Sequence, residues 1–317
     1  MPPGWTCTAL VVKIVNVPKA AAEPDISLLL TSWELHLRAE RKSPQTIKVY
    51  GDGVRRFGAW CLTQDRPAVL DRPTVTAFIA DMLDAGAEPA TARSRQLALR
   101  RFSGWLLEEG EQPTDRLLGL RPPRLDVKVV EPLTEAQLRA LIKACAGPDL
   151  RDRRDEALVR LMVETGLRAG EAVALAVDDV DLTAGTALVR RGKGGKGRQV
   201  PFGPQSAKAL DRYLRARRTH RLVTSTNLWV GDRGKAFGYD ALHKTLAARA
   251  KAADIPAFYP HRLRHTAAHR WLAAGGSEGG LMAVAGWTRP DMLLRYTRAQ
   301  ASDRAAAEAR TLNLGDL

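Results

Sequence analysis

The chain has 317 residues, 45% of them hydrophobic and 26% charged, so it holds enough apolar material for two domain cores and is not a disordered chain. Its 49 basic and 35 acidic side chains leave +14, unevenly spread: 17 basic and 14 acidic up to residue 125 (+3), then 32 and 21 (+11). A basic domain of this size points to nucleic acid. No apolar run nears the roughly 20 residues that span a bilayer, and no basic amphipathic helix with a bulky apolar face counts for a membrane surface. Three scattered cysteines (Cys7, Cys61, Cys145) offer neither a disulfide framework nor a metal knuckle, as expected of reduced cytosolic thiols.

Residues 1–24 read as an irregular leader; Lys13 and Asn16 interrupt "TALVVKIVNV", so it is not a signal peptide. From 25 to 120 helix follows helix. "SLLLTSWELHLRAE" is amphipathic with Ser27 as its expected N-cap, and "SPQTIKVYGDGVRRFGAWCL" opens on a capping Ser-Pro. "RPTVTAFIADMLDAG" and "EPATARSRQLALRRFSGWLLEEG" each stop near a glycine, which makes a four- or five-helix domain. "RPPRLDVKVVEP", with paired prolines and no helical period, marks a linker at 121–131. A second domain, 132–317, restarts at "LTEAQLRALIKACAG" with Thr134 capping. It is helical apart from "GTALVRRGKGGKGRQVPF", which alternates as two short strands about a glycine-rich tip.

Four motifs carry charge in arrangements that ask for a function. "GKGGKG" (192–197) matches a dinucleotide-binding pattern, but a strand follows where a helix must start, so nucleotide binding is rejected. What remains is a basic tip with Arg190, Arg191, Lys193, Lys196 and Arg198. It is either a solvated loop or a finger laid along a DNA groove with a lysine near the backbone. In "VETGLRAGEAVALAVDDVDL", Gly166 ends one helix and Arg168 sits in the turn before the next, with Glu171 placed to orient it. That is a structural ion pair or a phosphate fork, since a planar guanidinium offers two parallel donors.

"YPHRLRHTAAHRW" puts His261, His265 and His269 one helical turn apart, which permits two-point metal ligation. No glutamate stands between them, and Arg262, Arg264 and Arg270 repel a dication, so no metal is expected. The competing reading has His261 and Arg264, at i and i+3, sharing one phosphate. "GWTRPDMLLRYTRAQ" holds Tyr296 nine residues after Trp287; alone it reads as a core or surface tyrosine.

Taken in order, T-G-L-R-x-x-E, a lysine in a G-K-G hairpin, H-x-L-R-H, and G-W with a tyrosine nine residues on resembles the tyrosine recombinases, or phage integrase family. The motifs cover residues 132–300, and 25–120 resembles more loosely the family's SAM-like core-binding domain. The fold so implied is mainly α, a helical DNA-binding domain followed by a larger, mostly helical catalytic domain with a small antiparallel β element. The resemblance makes Arg168 and Arg264 the grip on the scissile phosphate, Lys193 the donor to the leaving 5′ oxygen and His261 the acceptor of the tyrosine proton. Tyr296 becomes the nucleophile and Glu171 the support of the first arginine. Trp287 stands where many members have histidine, and its indole N–H offers a donor instead.

The same resemblance implies double-stranded DNA as substrate, no cofactor, and a homotetramer on DNA joined by exchange of the tail "ASDRAAAEARTLNL". It also implies accessory DNA-bending or directionality proteins and a cytoplasmic, nucleoid-associated location. The rival readings are a type IB topoisomerase-like enzyme and a non-catalytic DNA-binding protein of the same fold.

Overall fold

The structure, a computed structural model, describes residues 25–125, 130–190, 197–289, 293 and 309–311. The leader, Arg191, Lys193 and Lys196 of the hairpin tip, and Tyr296 with most of the tail lie outside the described residues. Two compact units divide the chain, Met1–Val127 and Lys128–Leu317.

In the first unit four helices are described: α1 (Ile26–Ala39), α2 (Pro44–Thr63), α3 (Arg72–Asp84) and α4 (Pro89–Glu108). Each opens with a proline at its first or second position or a capping acid, where the missing N–H or the side-chain acceptor suits an unpaired helix start. Asp25, not Ser27, caps α1: its carboxylate accepts from the Ser27 and Leu28 N–H groups at 2.8 and 3.3 Å. An acid one residue before the first turn reaches donors that a serine inside the turn cannot. Ser43 caps α2 as expected, accepting from Thr46 N–H at 3.1 Å. Buried Ile26, Leu30, Trp33 and Leu37 form one stripe of α1, the period of a helix with one face on a core. That core is aromatic, with Trp33 and Phe102 ring centroids 5.0 Å apart and Phe57 edge-on to Phe78 at 5.5 Å.

The second unit is built on α6 (Leu150–Thr165), which follows α5 (Glu135–Ala144). Thr134 and Gln137 close a capping box at the start of α5. Nearly every residue of α6 from Arg154 onward is buried, so its charges must be paired. Arg154 donates to Asp155 at 2.8 Å and lies over the Phe237 ring, while Arg249 reaches Asp155 at 2.8 Å and Asp152 at 2.6 Å. A short helix α7 (Ala169–Val173) leads to a three-stranded antiparallel sheet, β1 (Val180–Asp181), β2 (Thr186–Val189) and β3 (Arg198–Pro201). β2 and β3 are the hairpin read from the sequence, with Ala187 opposite Val200 and both buried. β1 adds an edge strand that two residues are too few to announce by alternation.

Then come α8 (Pro204–Arg217), α9 (Tyr239–Ala252), α10 (His261–Ala273) and α11 (Glu278–Ala285). α6 packs on both α8 and α10. Among the described residues no helix is long and apolar enough to cross a membrane.

Candidate active site

The site is assembled where two helices stop. α6 ends at Gly166 and α11 at Gly286, each at φ 64°, the left-handed conformation that releases the chain from a helix. A helix end leaves its last carbonyls without intrahelical donors and carries the negative pole of the helix dipole. At the end of α11 three arginines take three consecutive carbonyls. Arg198 Nε donates to Val284 O at 2.8 Å, Arg264 Nη2 to Ala285 O at 2.8 Å, and Arg168 Nη2 to Gly286 O at 3.3 Å. Arg264 also donates through Nη1 to Gly166 O at 2.6 Å, so one guanidinium bridges both helix ends. It is 2% exposed, which fixes it in place.

Arg168 is half-buried at the N-terminal cap of α7, where Glu171 folds back on it. The carboxylate accepts from Arg168 Nη1 at 2.7 Å and from the Arg168 backbone N–H at 3.0 Å. Arg198 adds a second fork on the same carboxylate, at 3.1 and 2.8 Å. Burial disfavours ionised Glu171, but the Arg198 hydrogen bond, the Arg168 backbone N–H, the Arg198 charge and the Arg168 side-chain hydrogen bond outweigh it and hold its pKa at about 2. Glu171 is therefore a fixed anion between two fixed cations. Directly after Gly286, Trp287 lies with its ring 5.2 Å from the Arg264 guanidinium carbon, a cation–π contact.

His261 is the first residue of α10 and exposed, three positions before Arg264. Its ring meets that of His265 edge-on at 4.8 Å. Among the described residues no three His, Cys, Asp or Glu side chains are grouped to hold a metal ion. The opposite stripe of α10 fastens the segment that leads into the unit. Arg262 donates to Glu131 O at 3.3 Å, Thr266 Oγ1 accepts from Leu133 N–H at 2.8 Å, and Arg270 pairs with Glu135 at 2.8 Å.

The structure thus brings Arg168, Glu171, Arg264 and Trp287 together around the end of α11, with His261 on the first turn of the helix that carries Arg264. Lys193 and Tyr296, with Arg191 and Lys196, lie outside the described residues. Arg190 stays exposed, paired with buried Asp179 at 2.6 Å. Arg198 corrects the sequence reading. Expected to face DNA with the tip, its guanidinium turns inward onto Glu171 and Val284, because a buried carboxylate and an unpaired helix carbonyl both need a donor. Sequence reasoning also missed the carbonyls of 284–286; the glycine just before Trp287, a helix stop, was the available signal.

Comparison with known proteins identifies the family and the fold. The model of the phage integrase family matches residues 131–303, and that of the phage integrase N-terminal SAM-like domain matches 30–110. The tyrosine recombinase XerD of Ralstonia nicotianae is 41% identical over 244 residues, 73% of this chain and 76% of that protein. The tyrosine recombinase XerC of Mycobacterium tuberculosis is 34% identical over 249 residues, 74% and 81% of the two chains. In fold, the chain is similar to the Tn1549 transposon integrase (TM-score 0.70, 18% identity, 90% of this chain and 99% of that one). It is equally similar to the XerH site-specific recombinase (TM-score 0.70, 19% identity, 90% and 84%). A basic two-part chain whose arginines converge on one helix end, with this pattern of relatives, belongs to the phage integrase family of tyrosine-type site-specific recombinases.

Proposed function

We propose that the chain cleaves and rejoins duplex DNA through a 3′-phosphotyrosine formed at Tyr296. The supporting observation is that Arg168 and Arg264 are held on adjacent carbonyls of one helix end, ten and eleven residues before that tyrosine. A phosphodiester repels an incoming oxyanion, and its transition state adds negative charge. Two immobilised guanidiniums with the Trp287 indole beside them supply donors there at no cost of reorganisation. Tyrosine's ordinary pKa near 10 makes it a poor nucleophile, and His261 takes its proton as the new O–P bond forms. The 5′ oxygen leaves and accepts a proton from Lys193. The phosphate ester is exchanged rather than hydrolysed, so a 5′-hydroxyl from another strand reverses the step without ATP. Glu171 neutralises part of the arginine charge and fixes its direction.

The XerH structure is described as a post-cleavage complex on a palindromic difH substrate, and the Tn1549 integrase as a complex with circular intermediate DNA. Carried to this chain, these support action on duplex DNA in paired sites, which we read as a homotetramer linked through the tail after Tyr296, with DNA-bending partners.

The test is a duplex built on the junctions mapped in the host cell and nicked beside the scissile phosphate, so that cleavage is trapped. Covalent protein–DNA product is expected from the wild type and not from Tyr296→Phe. Transfer of the trapped strand to a second labelled duplex is expected of a recombinase. Relaxation of supercoils without transfer overturns that part in favour of a topoisomerase, and no covalent product overturns the whole.

A further inference from the structure

Arg198 stands out because it is not among the residues to which the chemistry has been assigned, yet its guanidinium makes three fixed contacts in the site. It starts β3, the strand that returns from the tip holding Lys193 in the sequence. Its side chain is only 12% exposed and every guanidinium nitrogen is used: Nη1 and Nη2 on the two oxygens of Glu171, Nε on Val284 O. Glu171 in turn receives both the side chain and the backbone N–H of Arg168. A further sign of tight fit comes from Gly286, where an added Cβ would stand 3.0 Å from the Arg198 guanidinium carbon.

We infer that Arg198 is a positioning residue for strand cleavage: it aligns Arg168 through Glu171 and ties the root of the hairpin to the end of α11. The inference rests on the phosphotyrosine reading above. Without Arg198, Glu171 keeps one partner and is free to rotate about it, so Arg168 loses its fixed direction. The Val284 carbonyl loses its donor, which loosens the helix end that precedes Trp287 and Tyr296. Arg198 touches no DNA in this role. The geometry separates it from a groove contact, which the charge of the hairpin alone would suggest.

The experiment uses the full chain with Arg198→Met, which keeps the stem and removes the fork, and Arg198→Lys, which keeps one charge. The trapped-cleavage rate, DNA affinity as a function of salt, and the rate with Arg168→Ala added are measured on each, with thermal unfolding to set a temperature at which all are folded. Misplacing a catalytic group by about 1 Å costs about 100-fold, so a loss of that order is expected for Arg198→Met. A smaller loss is expected for Arg198→Lys, which cannot offer two parallel donors and a third.

The salt slope should be unchanged, whereas a lost phosphate contact lowers it by about 0.9. In an Arg168→Ala background either Arg198 substitution should cost little further rate, because the residue it positions is already gone. An unchanged rate, or losses that multiply in the Arg168→Ala background, overturns the inference, the second by showing only a structural part. A reduced salt slope overturns it in favour of a DNA contact. Should Arg198→Met fail to fold, Arg198→Lys carries the same three readouts. If the wild type itself gives no covalent product, the phosphotyrosine reading fails; an active wild type with indifferent variants sinks only Arg198.

Discussion

Gly166 and Gly286 share a backbone angle but not a neighbourhood, and that difference separates stability from catalysis. A Cβ at Gly166 would meet the Ala267 Cβ at 3.5 Å, ordinary contact, whereas at Gly286 it would press on the Arg198 guanidinium at 3.0 Å. Either alanine adopts a left-handed angle at about 1 kcal/mol, so each should lower the melting temperature by about 2–4 °C. Only Gly286→Ala should also cut cleavage, by about tenfold, the equivalent of roughly one disturbed hydrogen bond. Paired melting curves and trapped-cleavage rates check this.

Glu171 sets a pH prediction at the same scale. Its folded pKa, about 2, lies below the usual 4.5, so its contribution to stability is present above the unfolded value and drains away as pH falls from about 4.5 toward 2. A shift of that size corresponds to about 3 kcal/mol at neutral pH. Glu171→Gln should be less stable at pH 7 and should approach the wild type below pH 3; a constant gap across that range speaks against the ion pairs. Arg168, Glu171 and Arg264 were legible in the sequence because motifs pin them to helix boundaries. Arg198 was not, since a basic residue at a hairpin root carries no sign of which way it turns until the carboxylate it meets is known.

At the scale of elements, α10 works on two sides. His261 and Arg264 lie on the side of the site, while Arg262, Thr266 and Arg270, four residues apart, hold Glu131, Leu133 and Glu135. Thr266 is fully buried, and its hydroxyl donates to Arg262 O at 2.8 Å while accepting from Leu133 N–H. Thr266→Val keeps the shape and strands that N–H, which should cost about 1–3 kcal/mol, read as a fall in melting temperature. No change would show that Leu133 is held by its apolar contacts alone. The one-turn spacing of the three histidines in this helix was easy to see and invited a metal. The stripe of Arg262, Thr266 and Arg270, each directly after a histidine, was the more informative period, because it says what the helix fastens. Helices with strong caps were read well, as with Ser43 and Thr134, whereas Asp25 displaced Ser27 because two acceptors compete within one turn and the charged one reaches further donors.

For the molecule as a whole, the uneven charge is a matter of composition, and the two units divide after Val127, within the proline-rich stretch before residue 131. Convergence was not legible in the sequence: residues 166, 168, 171, 198, 264 and 284–287 meet only through packing of α6, α10 and α11, which no local pattern encodes. The central claim is that these cations serve a phosphate ester beside Tyr296. Mass spectrometry of the trapped adduct after protease and nuclease digestion tests it most directly. A 3′-phosphoryl nucleotide joined to the peptide that contains Tyr296 is the expected result, reduced at least 100-fold in Arg168→Ala. A linkage to Tyr213, Tyr239, Tyr259 or any other side chain, or an adduct indifferent to Arg168, contradicts it.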